Sequence, residues 1–147
     1  MSPQQPHLVQ VLTRAQHLIG RRLSGILSAE GCSLEAWRVV LVLADGGGHP
    51  MTELAEQAVL PPATLTKVVD SLVEDNLVYR RVDGLDRRRI RAYLSPRGRR
   101  FHQRVSQRVE ASLAALPTGG GDRELVELLA RLVDSLDPTL AATVPAG

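Results

Sequence analysis

The chain has 147 residues, 44% of them apolar and few aromatic, a composition that favours one domain of packed helices over a β-sandwich. Its formal charge of +2 conceals a polarity: eleven arginines and only Asp83 and Asp86 lie between Arg80 and Arg108, leaving +9 there and −7 elsewhere, a field suited to a phosphate backbone. A single cysteine excludes an internal disulfide framework, no apolar run nears the roughly 20 residues of a membrane span, and the polar start, 1–7, lacks a signal-peptide core, so a soluble, cytoplasmic protein is expected.

Leu8, Leu12, Ala15, Ile19, Leu23 and Ile26 recur at three- and four-residue steps and predict one long amphipathic helix over 6–29, ended by Glu30 and Gly31. Ser33 is a good N-cap for a second helix carrying Trp37, Val39, Val40, Leu41 and Leu43. That helix is apolar nearly all round and is expected to be buried, until Gly46, Gly47 and Gly48 stop it.

Thr52 is placed to cap a short helix, 53–58, with Leu54, Ala55 and Ala58 facing inward. Val59 and Leu60 make a tight connection, and Pro61-Pro62 opens the next helix, where a missing N–H costs nothing. Leu65, Val68 and Leu72 turn to the core. Pro62, Ala63, Thr66, Lys67 and Asp70 are left outward, with Thr64 near the tip. Asn76 occupies the left-handed position after the helix.

The period then changes to two. Ile90, Ala92 and Leu94 alternate with Arg89, Arg91 and Tyr93 as a half-buried strand, with 78–82 as its partner and Asp83-Gly84 between them. Ser95-Pro96 starts a long helix with Phe101, Val105, Val109, Leu113 and Leu116 on one face. After a break over 117–121, Asp122 caps a last helix with Leu125, Leu128, Leu129, Leu132, Val133 and Leu136 as a dense apolar stripe. On a terminal helix such a stripe suits a seam between subunits.

A short helix, a tight turn and a second helix allow the second to lie in a DNA major groove. Threonine and lysine there can donate to bases and phosphates, and alanine or a threonine methyl can pack on a thymine methyl. The cationic hairpin follows directly. The run Met51-Thr52-Glu53-Leu54-Ala55-Glu56, then Leu60-Pro61-Pro62-Ala63-Thr64-Leu65-Thr66-Lys67-Val68-Val69-Asp70-Ser71-Leu72, resembles the helix-turn-helix of the MarR (multiple antibiotic resistance regulator) family. Asn76-Leu77-Val78-Tyr79-Arg80-Arg81 and Asp83-Gly84-Leu85-Asp86-Arg87-Arg88-Arg89, closed by Leu94-Ser95-Pro96-Arg97-Gly98, resemble its wing and exit.

The resemblance implies a mainly α fold with a small β-wing, a winged helix-turn-helix core flanked by N- and C-terminal dimerisation helices. On it the chain divides into a dimerisation helix (1–32), a DNA-binding domain (33–100), C-terminal dimerisation helices (101–137) and a loose tail (138–147). It implies a homodimeric regulator of transcription, a repressor on a pseudo-palindromic operator in double-stranded DNA. Pro62, Ala63, Thr64, Thr66 and Lys67 form the recognition face, Asp86 braces the wing, Arg88 enters the minor groove, and Arg87 and Arg89 contact phosphate or steady the wing. The family often has serine where Pro61 stands; proline can neither cap with a side-chain oxygen nor donate to phosphate, so no such contact is assigned.

In this family a cleft beside the dimerisation helices can hold a small aromatic or phenolic ligand, and Trp37 and Arg38 are the candidates to line it. Relatives that sense peroxide place the reactive thiol early in the first helix, whereas Cys32 falls between the first two; a redox sensor through Cys32 is a secondary reading. A winged-helix module docking an acidic protein partner is another. His7, His17, His49 and His102 show no ligand spacing, and no phosphate loop or catalytic constellation stands out, so neither a metal, a cofactor nor an enzyme is expected.

Overall fold

The computed structural model describes residues 6–86, 88–117 and 123–137. Its elements run α1 (Leu8–Ala29), α2 (Leu34–Leu43), β1 (His49–Pro50), α3 (Met51–Ala58), α4 (Pro62–Glu74), β2 (Val78–Val82), β3 (Ile90–Leu94), α5 (Pro96–Ala114) and α6 (Arg123–Leu136). Residues up to Gln107 make one compact unit and those from Arg108 a second. The fold is mainly helical with a small antiparallel sheet, the winged helix-turn-helix arrangement expected from the periodicities.

Local chemistry sets the boundaries. After α1, Cys32 N–H bonds Leu27 O at 2.9 Å and Gly31 N–H bonds Ser28 O at 3.1 Å, the paired bonds of a Schellman cap. Ser33 Oγ then accepts the Ala36 N–H at 3.0 Å and starts α2. The same paired bonds close α4, from Leu77 N–H to Leu72 O and Asn76 N–H to Val73 O, with Asn76 at φ +60°. They also close α3, where the left-handed residue is Val59 at φ +56°. A β-branched residue is strained in that region.

Three expectations need correction. The Thr52 cap does not form: α3 begins at Met51 after Pro50, because residues 49 and 50 are already held as a strand. On α4 the buried residues are Leu65, Val69 and Leu72, with Val68 half-buried, so the core face is rotated by one position. Ile90 and Leu41 are exposed: Ile90 lies at the far end of the hairpin, beyond the body, and α2 turns only Trp37, Val39, Val40 and Leu43 fully inward. Asp122, most of the break over 117–121 and the tail lie outside the described residues.

The sheet has the order β1-β3-β2. β2 and β3 pair from Val78 with Leu94 to Val82 with Ile90, which sets Tyr79 beside Tyr93 with rings stacked at 5.3 Å. β1 adds only His49 opposite Ala92 and Pro50 opposite Arg91. It depends on Gly48, since a Cβ there would fall within 2.3 Å of the Tyr93 ring. Val78, Ala92 and Leu94 face a core built on Leu27, Trp37, Val40, Leu54 and Leu65.

At the sheet's exit Ser95 Oγ accepts the Gly98 N–H at 2.9 Å, the cap of α5, and donates to Asn76 O at 2.6 Å. Gly98 passes so close to the chain that a Cβ would lie 2.0 Å from Leu77 O. On α6 Leu125, Val126, Leu128, Leu129, Val133 and Leu136 are exposed, and on α1 so are Leu8, Val9, Val11, Leu18 and Ile19. Among the described residues no helix is long and apolar enough to cross a membrane.

Candidate nucleic-acid interface

Pro61, in extended conformation, is the N-cap of α4 and contributes no side-chain hydrogen bond; its carbonyl instead accepts the Leu65 N–H at 2.9 Å. With Leu65, Val69 and Leu72 anchoring the inner face, Pro62, Ala63, Thr66 and Lys67 are exposed and Thr64 is half-buried. The recognition residues therefore share the outer face of the first two turns. Thr66 Oγ1 donates to Pro62 O at 3.0 Å, so its hydroxyl hydrogen is spent within the helix. Asp70, also outward, is neutralised by an ion pair with Arg80 on β2.

The wing loop is held by its aspartates. Asp83 N–H bonds Arg89 O at 2.8 Å across the loop mouth, and Asp83 Oδ1 accepts the Leu85 N–H at 3.0 Å. Asp86 Oδ1 accepts the Arg88 N–H at 3.0 Å while its carbonyl accepts the Arg89 N–H at 3.0 Å. These bonds fix the backbone amides of Arg88 and Arg89. The side chains of Arg88 and Arg89 are exposed, and neither guanidinium makes a hydrogen bond or ion pair among the described residues. Arg87 lies outside the described residues.

A further restraint was not read from the sequence. Arg91 Nε donates to Asp83 Oδ2 at 3.1 Å, and its Nη1 donates to Gly48 O at 3.3 Å. The Leu85 amide first, and then Arg91, hold the Asp83 carboxyl below its usual range. Beside Gly48, buried His49 bonds Glu53 Oε1 through Nδ1 at 2.8 Å and Asp45 Oδ2 through Nε2 at 2.7 Å. Ionised carboxylates only accept, so this geometry favours the imidazolium, in which both ring nitrogens donate. Burial opposes that charge, but the bonds from Glu53 and Asp45 outweigh it and raise the pKa of His49. The Gly47 amide and then His49 lower that of Asp45. The signal was present: Asp45 and Glu53 each stand four residues from His49.

Two grooves join these parts. One, of about 330 Å3, is lined by Pro50, Met51, Thr52, Arg88, Arg89 and Ile90. The other, of about 350 Å3, runs between α3 and α4 and is lined by Met51, Thr52, Ala55, Glu56, Leu60, Pro62, Leu65 and Thr66. Met51 and Thr52 belong to both, so the wing arginines and the recognition helix open on one continuous surface.

The ligand candidates part company. Trp37 is 2% exposed, edge-on to Phe101 at 6.3 Å and stacked on His102 at 5.7 Å, and serves as core. Arg38 lines an open groove of about 440 Å3 with His17, Gly20, Arg21 and Leu34. Cys32 edges a separate cavity of about 560 Å3 beside Ser71, Asp75, Arg97 and Arg100. Burial, and then the charge of Asp75, push its thiol up to about 11.

The family model for the MarR family matches residues 30–89, the stretch from the end of α1 to the wing. Over that stretch the chain is similar to the MarR family. It is 24% identical over 132 residues to the HTH-type transcriptional regulator FarR of Neisseria gonorrhoeae, covering 86% of this chain and 90% of that one. The crystal structure of NadR in complex with 4-hydroxyphenylacetate superposes with a TM-score of 0.78 at 24% identity, over 92% of this chain and 96% of NadR. CouR from Rhodococcus jostii RHA1, bound to p-coumaroyl-CoA, has a TM-score of 0.78 at 22% identity, over 94% of this chain and 97% of CouR. Such likeness over nearly the full length of each chain shows a shared fold.

Proposed function

We propose that this protein is a transcriptional regulator of the MarR type, a cytoplasmic, homodimeric repressor that binds a pseudo-palindromic operator. In each subunit Pro62, Ala63, Thr64, Thr66 and Lys67 enter the major groove, and Arg88 enters an adjoining minor groove where narrow A·T tracts concentrate negative potential. Arg87 and Arg89 contact flanking phosphates, and Asp86 braces the wing by fixing the Arg88 amide. The observation that carries this reading is the shared lining of the two grooves by Met51 and Thr52, which sets unpaired wing arginines and the recognition face on one surface.

The exposed apolar residues of α1 and α6 support a dimer, since so much apolar surface is costly to leave in water. A small aromatic or phenolic effector is assigned to the groove lined by Arg38, whose guanidinium suits a carboxylate or phenolate. The redox reading through Cys32 is disfavoured: a thiol with a pKa of about 11 holds almost no thiolate near neutrality.

The experiment is a gel shift of the purified protein on the promoter region upstream of its own gene, at low and at physiological salt. A retarded complex that weakens steeply with salt is expected. No shift at low salt, where phosphate attraction is strongest, would transfer the cationic face to an acidic protein partner.

A further inference from the structure

The notch between α3 and α4 has a buried apolar floor, Ala55, Leu60 and Leu65, and walls formed by Met51, Thr52 and Glu56 of α3 and Pro62 and Thr66 of α4. Two of those wall residues belong to the recognition face, so any base edge that meets the start of α4 also meets the notch. On the α4 side, which carries the recognition face, the walls have little to donate. Pro62 has no N–H, and the Thr66 hydroxyl hydrogen is bound to Pro62 O at 3.0 Å. What Thr66 retains for a partner is its methyl group and the lone pairs of its oxygen. Reading guanine or adenine N7 through Thr66 would require a hydrogen that this side chain does not have free.

Glu56, exposed on the same notch, argues in the same direction. A carboxylate repels phosphate, so the notch does not seat the DNA backbone; base edges are the part of the duplex it tolerates. The apolar group displayed in the major groove is the 5-methyl of thymine.

We propose that the α3–α4 notch is a thymine-specificity site, in which the methyl of Thr66, with Pro62 and Met51, receives the 5-methyl group of one thymine in each operator half-site. The inference rests on the proposed operator binding and adds to it which base is read, and by what. Donor-based contacts fall instead to Lys67 and to Thr64, whose hydroxyl has no hydrogen-bond partner among the described residues.

The test uses the full chain and an operator obtained by selection of bound fragments, with each thymine replaced in turn by deoxyuridine, which lacks only the methyl. One position per half-site should weaken binding by about fourfold, the value of one buried methyl, and by about fifteenfold when both half-sites are changed. Thr66→Ser, which removes the methyl and keeps the hydroxyl, should cease to distinguish thymine from deoxyuridine there. Thr66→Val, which keeps the methyl, should retain the discrimination and bind at least fourfold more tightly than Thr66→Ser. Tight binding indifferent to deoxyuridine at every position overturns the inference and leaves operator binding standing. So does discrimination that persists in Thr66→Ser. Failure to select any DNA overturns both.

Discussion

Arg91 is bonded to Asp83 at 3.1 Å, and that bond ties the mouth of the wing loop to a strand anchored in the body. The same guanidinium reaches Gly48 O at 3.3 Å, so it spans from β1 to the hairpin. Arg91→Ala should therefore leave the fold intact but free the wing, weakening operator affinity by up to roughly fivefold, within the range of a partly exposed ion pair. Faster amide exchange at Asp83 and Arg89, with exchange in α4 unchanged, would locate the effect in the loop.

Arg88 has the opposite profile, a side chain that makes no hydrogen bond or ion pair among the described residues. Arg88→Ala should cost about 1–3 kcal/mol of operator affinity if it reads the minor groove, and leave thermal stability and dimer mass unaltered. Titrations at several salt concentrations check this. An unchanged affinity would remove the wing from the interface.

Val59 stands at φ +56° and is 77% exposed, so it bears backbone strain with little packing in return. Val59→Gly should raise stability by about 0.5–1 kcal/mol, the relief of strain being partly offset by the freedom glycine gives the unfolded chain. Thermal unfolding would measure it. A lower melting temperature would mean that Val59 makes a compensating contact.

His49 gives stability a dependence on pH with a defined sign. Its folded pKa lies above the ordinary value of 6.5, so its contribution is complete below that value and is lost as pH rises through the folded pKa. Asp45 acts in the other direction: its folded pKa is below 3.8, and its contribution is present above that value and lost as pH falls through the folded one. The melting temperature of the wild type should thus decline as pH rises from about 6.5 through the folded pKa of His49. In His49→Gln that decline should be absent, and retention of it would assign the dependence to another group.

Leu128 on α6 tests the proposed seam, being 56% exposed on an apolar stripe. Leu128→Glu should shift the species seen by light scattering from two chains towards one, and weaken operator binding with it, because two half-sites are no longer gripped together. A dimer of unchanged strength would place the seam elsewhere.

What could be read from the sequence was whatever depends on neighbours in the chain. Ser33, Asn76 and Ser95 do their capping within four residues of themselves, and the two-residue alternation of the hairpin is a local signal. The start of α3 was not legible, because β1 has only two residues and takes its form from β3, more than forty positions away. Val59 escaped notice because the left-handed region disfavours its residue type, and only the α3–α4 packing holds it there. Arg91 read as one more outward cation, since its partners become neighbours only once β1 and the hairpin are assembled. Thr66 was read as a donor because its type permits donation, and the bond that occupies its hydrogen is visible only with the helix formed.

The serine that opens α5 also fastens the carbonyl of Asn76, and Gly98 lets the chain press against Leu77 at the same point. The cap of α4 and the start of α5 are thus fastened at a corner of a few atoms. A tilt imposed on the first turn of α5 is therefore expected to be felt at the C-terminal cap of α4, where the two are fastened.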